Sequence, residues 1–314
     1  MFDGMRIVVA GGAGMLGSVM CPKLLDSGAE VICVDNLVTG SAENVKRLLG
    51  REGFSFLECD VSAGAPVAGP IDAVVNLASP ASPADFRTLA LQILTVGSRG
   101  VENLLDLAWR NDARFLQAST SEVYGDPLVH PQVETYWGNV NPIGLRSVYD
   151  ESKRFAEALT CAYHRERGVD VRIARIFNTY GPGMRPDDGR LVSNFVTQAL
   201  AGRPVTIHGD GAQTRSLCFV DDEVDGLLAL LACDHRSPVN IGNDHETTVL
   251  SVAELVLKLT DSDSEIVFVE RPPDDPSRRC PDLSVARRVL GWEPTTPLRT
   301  GMEKTIDWFR RLAA

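Results

Sequence analysis

"RIVVAGGAGMLGS", residues 6–18, is the stretch on which the fold turns. A short apolar, β-branched run is followed at once by Gly11, Gly14 and Gly17, and then by residues that suit a helix. Glycines let the chain turn tightly and let its backbone approach a pyrophosphate, which then rests on the N-terminus of the next helix. A glycine triplet alone is equally a plain tight turn. The context narrows it: a strand before, a helix after, and Asp35 closing the next apolar run, "EVICVD" (30–35). A carboxylate there can accept a hydrogen bond from the 2′-hydroxyl of an adenosine ribose. The same charge repels a 2′-phosphate, so NAD is expected rather than NADP.

Working outward, "FSFLECD" (54–60), "DAVVNLA" (72–78), "ARFLQAS" (113–119) and "DVRIARIF" (170–177) read as further strands. They are near-continuous apolar runs, the pattern of a parallel sheet covered on both faces. Helical stretches, 86–111 and 149–168 among them, lie between most of them. The alternation predicts an α/β fold, a Rossmann-type doubly wound parallel sheet with a smaller C-terminal α/β lobe. Residues 1–180 form the expected dinucleotide-binding domain and 181–314 mainly the second lobe, with 205–235 packing back on the first. Turn-rich loops at 181–189 and 270–282, and helical periodicity at 251–260, 283–290 and 299–312, mark that lobe. Pro22 falls inside the first helix, where it removes a hydrogen bond and should kink the axis.

Two polar stretches carry the chemistry. "YDESK" places Tyr149 and Lys153 four residues apart, on one helix face. An ammonium beside a phenol favours the phenolate and is expected to lower the tyrosine from its usual value of about 10, which would make Tyr149 a general base. Alone, such a pair is common on helix surfaces. "STSEVYGD" (119–126) ends a buried strand in hydroxyls and a carboxylate, which need partners or a ligand.

Composition bounds the partners. The net charge of −11 and the pI of about 5.0 argue against nucleic acid and against an anionic membrane surface. No run approaches the apolar length that spans a bilayer. The seven cysteines form no CxxC pair and the five histidines show no ligand spacing, so no metal and a reduced, cytoplasmic protein are expected.

"GGAGMLG", "LASPASP", "STSEVYGD" and "YDESKR" resemble the extended short-chain dehydrogenase/reductases that act on nucleotide sugars. More narrowly, these stretches together with "RIFNTYGP", "DGRLVSNF", "DGAQTRSLCFVDD" and "DDPSRRCPD" resemble the UDP-glucuronate decarboxylases, also called UDP-xylose synthases. The resemblance implies an NAD-recycling carboxy-lyase that works through a UDP-4-keto sugar, with another C4-oxidising enzyme such as a UDP-glucuronate 4-epimerase as the alternative. It implies a homodimer paired through 86–111 and 148–168. The implied catalytic residues are Thr120 at the sugar O4, Ser121 and Glu122 toward C5 and the carboxylate, Tyr149 as base, Lys153 on the nicotinamide ribose, and Arg215. The implied cofactor contacts are Gly11, Gly14, Met15, Leu16, Gly17, Asp35, Asn36, Thr39, Gly40, Asp60, Val61, Leu77 and Ala78, with Tyr149 and Lys153. The implied substrate contacts are Pro80, Ser121, Glu122, Asn178, Arg190, Val192, Asn194, Arg215 and Arg279. The chain departs from the family pattern at Phe86, where the family has a tyrosine, at Gly97 for an asparagine, at Val19 for a histidine and at Gly183 for an arginine.

Overall fold

The computed structural model describes residues 1–271 and 278–313, so Asp274 to Ser277 of the "DDPSRRCPD" stretch lie outside the described residues. In chain order, β1 (Arg6–Ala10), α1 (Met15–Asp26), β2 (Glu30–Asp35), α2 (Ala42–Lys46), β3 (Phe54–Glu58) and β4 (Ala73–Asn76) form the first half of the sheet and its cover. A 3₁₀ turn (Pro83–Phe86), α3 (Ala90–Thr95), a π turn (Val96–Gly100) and α4 (Val101–Arg110) lead to β5 (Arg114–Thr120). After a 3₁₀ turn (Ser121–Tyr124) come α5 (Ser147–Arg167), β6 (Val171–Ile176) and β7 (Thr179–Tyr180). The remainder is α6 (Leu191–Leu200), β8 (Val205–His208), β9 (Thr214–Ser216), β10 (Cys218–Phe219), α7 (Val220–Ala232), β11 (Val239–Ile241), β12 (Glu246–Thr248), α8 (Val249–Thr260), β13 (Ile266–Val269), α9 (Ser284–Leu290) and α10 (Leu298–Ala313).

Seven parallel strands build the sheet in the order β11-β6-β5-β4-β1-β2-β3. Successive strand residues point to opposite faces, and here both faces are dry. Ile7, Val9, Val31 and Cys33 pack on one side with α1 and α7, while Val8, Ala10, Ile32 and Val34 pack on the other with α4 and α5. That double burial is why the strands read as unbroken apolar runs. The strand order reverses between β1 and β4, so the connections that leave their C-terminal ends run to opposite faces of the sheet and open a crevice. Into that crevice open the glycine turn after β1 and the Leu77–Pro80 segment after β4.

α1 runs through Pro22 without a break. The Ser18 carbonyl, which Pro22 cannot serve, accepts instead from the Arg47 guanidinium at 2.6 Å, so the missing bond is replaced from outside the helix. The expected single helix over 86–111 is instead divided by the π turn. A Cβ on Gly97 would lie 2.6 Å from the Ser152 Cβ, so α5 comes too close there for any side chain. The segment after residue 180 contributes β11 to the main sheet, pairing with β6, and ties α7 to α1 through Lys23 and Asp225 at 2.5 Å. Its own small sheets pair β8 with β13 and β9 with β12.

Candidate active site

Two cavities meet in the crevice, sharing Leu77 and Ser79 on their walls. The first, about 380 Å³, lies over the glycine turn. Gly11 has φ +78°, and a Cβ there would meet the Leu77–Ala78 backbone at 2.7 Å, so only glycine lets the turn close on the strand after β4. Gly14 caps α1 with no side chain in the way, leaving the helix N-terminus bare toward the cavity. Asp35 is buried at the end of β2, where it accepts from the Ala13 amide at 3.0 Å and the Leu37 amide at 2.8 Å. Burial raises its pKa, against the lowering effect of those amides. Each oxygen keeps a lone pair for a further donor, and Gly40 stays bare beside it because a Cβ would come within 2.7 Å of Oδ1.

Asn36, Thr39, Gly40, Asp60, Val61, Leu77 and Ala78 line this cavity with Gly11, Gly14 and Asp35. Pro80, expected at the sugar, lines it too and does not line the second cavity. Gly17 lines neither; a Cβ on it would strike Gly12 at 2.4 Å, so its task is to let α1 pack on the turn. A bare helix start, a turn that accepts no side chain and a carboxylate at the far end fit an adenine dinucleotide.

The second cavity, about 350 Å³, is where the polar stretches converge. Met15 and Leu16 form its edge beside Leu77. Thr120, Ser121 and Glu122 reach it from the end of β5, Tyr149 and Lys153 from α5, and Asn178 from the end of β6. Arg190, Val192 and Asn194 enter from the start of α6, Arg215 from β9, and Arg279 from the segment before α9. Four arginines (Arg146, Arg190, Arg215 and Arg279) and Lys153 line it against one carboxylate, Glu122.

Tyr149 lies flat against Phe86, with ring centroids 5.3 Å apart, and Lys153 Nζ sits 5.6 Å from the tyrosine centroid. Lys153 donates to the Ala118 carbonyl at 2.9 Å. The expected lowering of the tyrosine by Lys153 does not hold in this arrangement. Burial pushes Tyr149 up to about 12, the Thr120 hydroxyl beside it works the other way, and Glu122 adds to the rise. Burial also pushes Lys153 down to about 8. The geometry of the pair matches the sequence reading; the electrostatics do not, because desolvation outweighs proximity.

Glu122 is gripped by Arg279 and by Arg146, the latter at 2.8 Å. Burial would raise its pKa, but the two guanidiniums outweigh burial and hold it at about 2. Arg146 escaped the sequence reading; a lone arginine in the loop before a helix looks solvated, and nothing local reveals its partner. Ser119, which opens the polar stretch, serves structure instead. Its hydroxyl donates to Glu157 at 2.5 Å, and Glu157 pairs with Arg175.

Among the described residues no group of three or more His, Cys, Asp or Glu is placed to hold a metal ion, and no described helix is long and apolar enough to cross a membrane.

Residues 7–242 match the NAD dependent epimerase/dehydratase family. UDP-glucuronic acid decarboxylase 6 of Arabidopsis thaliana is 50% identical over 307 residues, 98% of this chain and 89% of the relative. UDP-glucuronic acid decarboxylase 1 of Xenopus tropicalis is 48% identical over 98% of this chain and 73% of its own length. Among solved structures, UDP-glucuronic acid 4-epimerase of Bacillus cereus, in complex with UDP-glucuronic acid and NAD, superposes with a TM-score of 0.90 at 27% identity, covering 98% of this chain and all of the other. The match extends over most of the sequence and includes both the glycine turn and the Tyr149–Lys153 pair, and the chain therefore belongs to the NAD dependent epimerase/dehydratase family.

Proposed function

We propose that this chain is an NAD-dependent carboxy-lyase that converts UDP-glucuronate to UDP-xylose through a UDP-4-keto sugar. The observation that carries the reading is the charge of the second cavity, where four arginines and Lys153 face a single carboxylate. A uridine diphosphate with a C6 carboxylate presents the anionic oxygens that convergent guanidiniums recognise. The names of the relatives at about half identity agree.

In this reading Tyr149 removes the O4 proton of the sugar, with Thr120 hydrogen-bonded to O4 and Lys153 on the nicotinamide ribose. NAD⁺, which the residues around the glycine turn would hold, would supply hydride acceptance and return at C4, and its positive charge would favour the phenolate of Tyr149. With a ketone at C4 the C5–C6 bond breaks and carbon dioxide leaves, its electron pair passing into an enolate. Hydroxyl donors at Thr120 and Tyr149 stabilise the negative O4. Arg279, Arg215 and Arg190, with Asn178, Val192 and Asn194, take the diphosphate, uridine and sugar acid. Ser121 and Glu122 face C5. We assign the cofactor to the 1–180 domain, with Gly11, Gly14, Asp35, Asn36, Thr39, Gly40, Asp60, Val61, Leu77 and Ala78 around it, and the nucleotide sugar mainly to 181–314.

Incubation with UDP-glucuronate and NAD⁺ tests this directly, by trapping carbon dioxide and weighing the product. Loss of carbon dioxide with a pentose product is expected. An unchanged mass with inverted C4 would replace the reading by a 4-epimerase, and no reaction would point to another sugar. We also infer a homodimer and, from seven free cysteines of which four are buried, a cytoplasmic location; recovery of the untreated chain from a secreted fraction would overturn the latter.

A further inference from the structure

The decarboxylation proposed above takes up one proton at C5 in each turnover, and this inference rests on that reading. Glu122, held at about 2, is ionised at neutral pH and has no proton of its own to give. Next to it is a third cavity of about 210 Å³, which shares Glu122 and Arg146 with the sugar cavity. Asp126, Asn139 and Asn141 on its wall are exposed, so it opens to solvent on that side. Asp150 forms its inner wall, 5% exposed, with Oδ1 buried and without a hydrogen-bond partner among the described residues.

An acid in the first turn of α5 suits the helix dipole, but an exposed position would serve that purpose at less cost. A buried carboxylate oxygen lacking a donor is penalised when ionised and tolerated when protonated. The cavity is large enough for several waters. We propose that Asp150 is the proton reservoir for C5, discharging through water in this cavity and along Glu122. The proton leaves the Asp150 carboxyl, passes by water to the Glu122 carboxylate, which accepts it only transiently, and reaches C5. There the enolate electron pair forms the C5–H bond, and Asp150, now a carboxylate, regains a proton from solvent at the exposed rim. Asp150 acts through Glu122 and is a positioning residue.

The charges around Asp150 agree. Burial and then Glu122 raise it, Arg146 and Arg279 oppose them, Glu151 adds to the rise, and the balance places it at about 7. Asp126 faces it across the cavity, and Tyr149 is its neighbour on α5. A group raised in this way is protonated below about pH 7, so the donor is present there and is lost as pH rises through that value.

Asp150→Asn tests the proposal with UDP-glucuronate and NAD⁺, following carbon dioxide and product over pH 5.5 to 9. Expected are a kcat lowered roughly 10²-fold, a KM within about twofold of wild type, and loss of the falling limb near neutrality. Any second limb from Lys153, which burial pushes down to about 8, should be unaffected by this substitution. A kcat and pH profile equal to wild type would overturn the proposal. Should the variant not fold, the wild-type profile decides: a kcat that is flat or rising between pH 6 and 8, without a solvent deuterium effect, refutes the reservoir. No carbon dioxide from wild type would instead refute the decarboxylase reading itself, so the two failures are distinct.

Discussion

Tyr149 and Lys153 show what a residue pair tells from spacing and what it withholds. Four residues on a helix bring the two side chains together, and the structure has them in contact range. Spacing says nothing of the surrounding medium, and burial moves the phenol and the ammonium in the directions that disfavour their charged forms. The base must therefore be activated when the site fills. If Tyr149 is that base, Tyr149→Phe should lower turnover about 10²–10⁴-fold while dinucleotide binding, followed by intrinsic fluorescence, stays intact. Retention of the rate to within about threefold would move the base elsewhere. The same limit explains the missed residues. Arg146 and Asp150 flank the legible Tyr149, yet an arginine 24 residues from its carboxylate partner and an aspartate facing an internal cavity carry no local signature.

At the scale of elements, the strands were legible because each is covered on both faces, and a continuous apolar run admits few other readings. Where sequence and structure part, a contact between distant segments decides. Pro22 does not break α1 because Arg47, from beyond α2, satisfies the carbonyl that the proline leaves. The helix expected over 86–111 contains a π turn where Gly97 meets Ser152 and Gly100 meets Val61. Gly97 thus departs from the family pattern without reference to the substrate: close packing on α5 leaves no room for a larger residue. Gly183 is similar, with φ +91° and Ser18 Oγ at 2.6 Å from any Cβ, while Val19 is partly buried and packs against the core. Gly97→Ala, otherwise a favourable change in a helix, is expected to cost about 1–3 kcal/mol through overpacking against α5. Urea unfolding measures it through the midpoint at constant m-value. A gain in stability would mean that α5 yields there.

At the scale of the whole molecule, one surface is left unfinished. The sheet is covered on both faces and the crevice between β1 and β4 is taken up by the two ligand cavities. α3, α4 and α5, by contrast, still present large apolar side chains outward: Leu91, Leu94, Trp109 and Phe155 are each at least 40% exposed. Single exposed apolar residues are ordinary, but several on neighbouring helices form the kind of patch that a partner covers. Leu91 and Leu94 lie three apart on α3, as Phe155 and Ala158 do on α5, so each helix offers a stripe. A second copy meeting this face by two-fold symmetry would set α5 of one chain against the helices of the other, and one self-complementary patch would suffice to close the dimer. The consequence reaches the site, because Tyr149, Asp150 and Lys153 sit on the same helix as Phe155. Phe155→Glu places a charge in the centre of that face without touching either ligand cavity. Sedimentation velocity should then show the dimer replaced by monomer, with NAD⁺ binding kept and turnover reduced through the loosened α5. A wild-type chain that sediments as monomer, or a variant that stays dimeric, would put the interface on another surface.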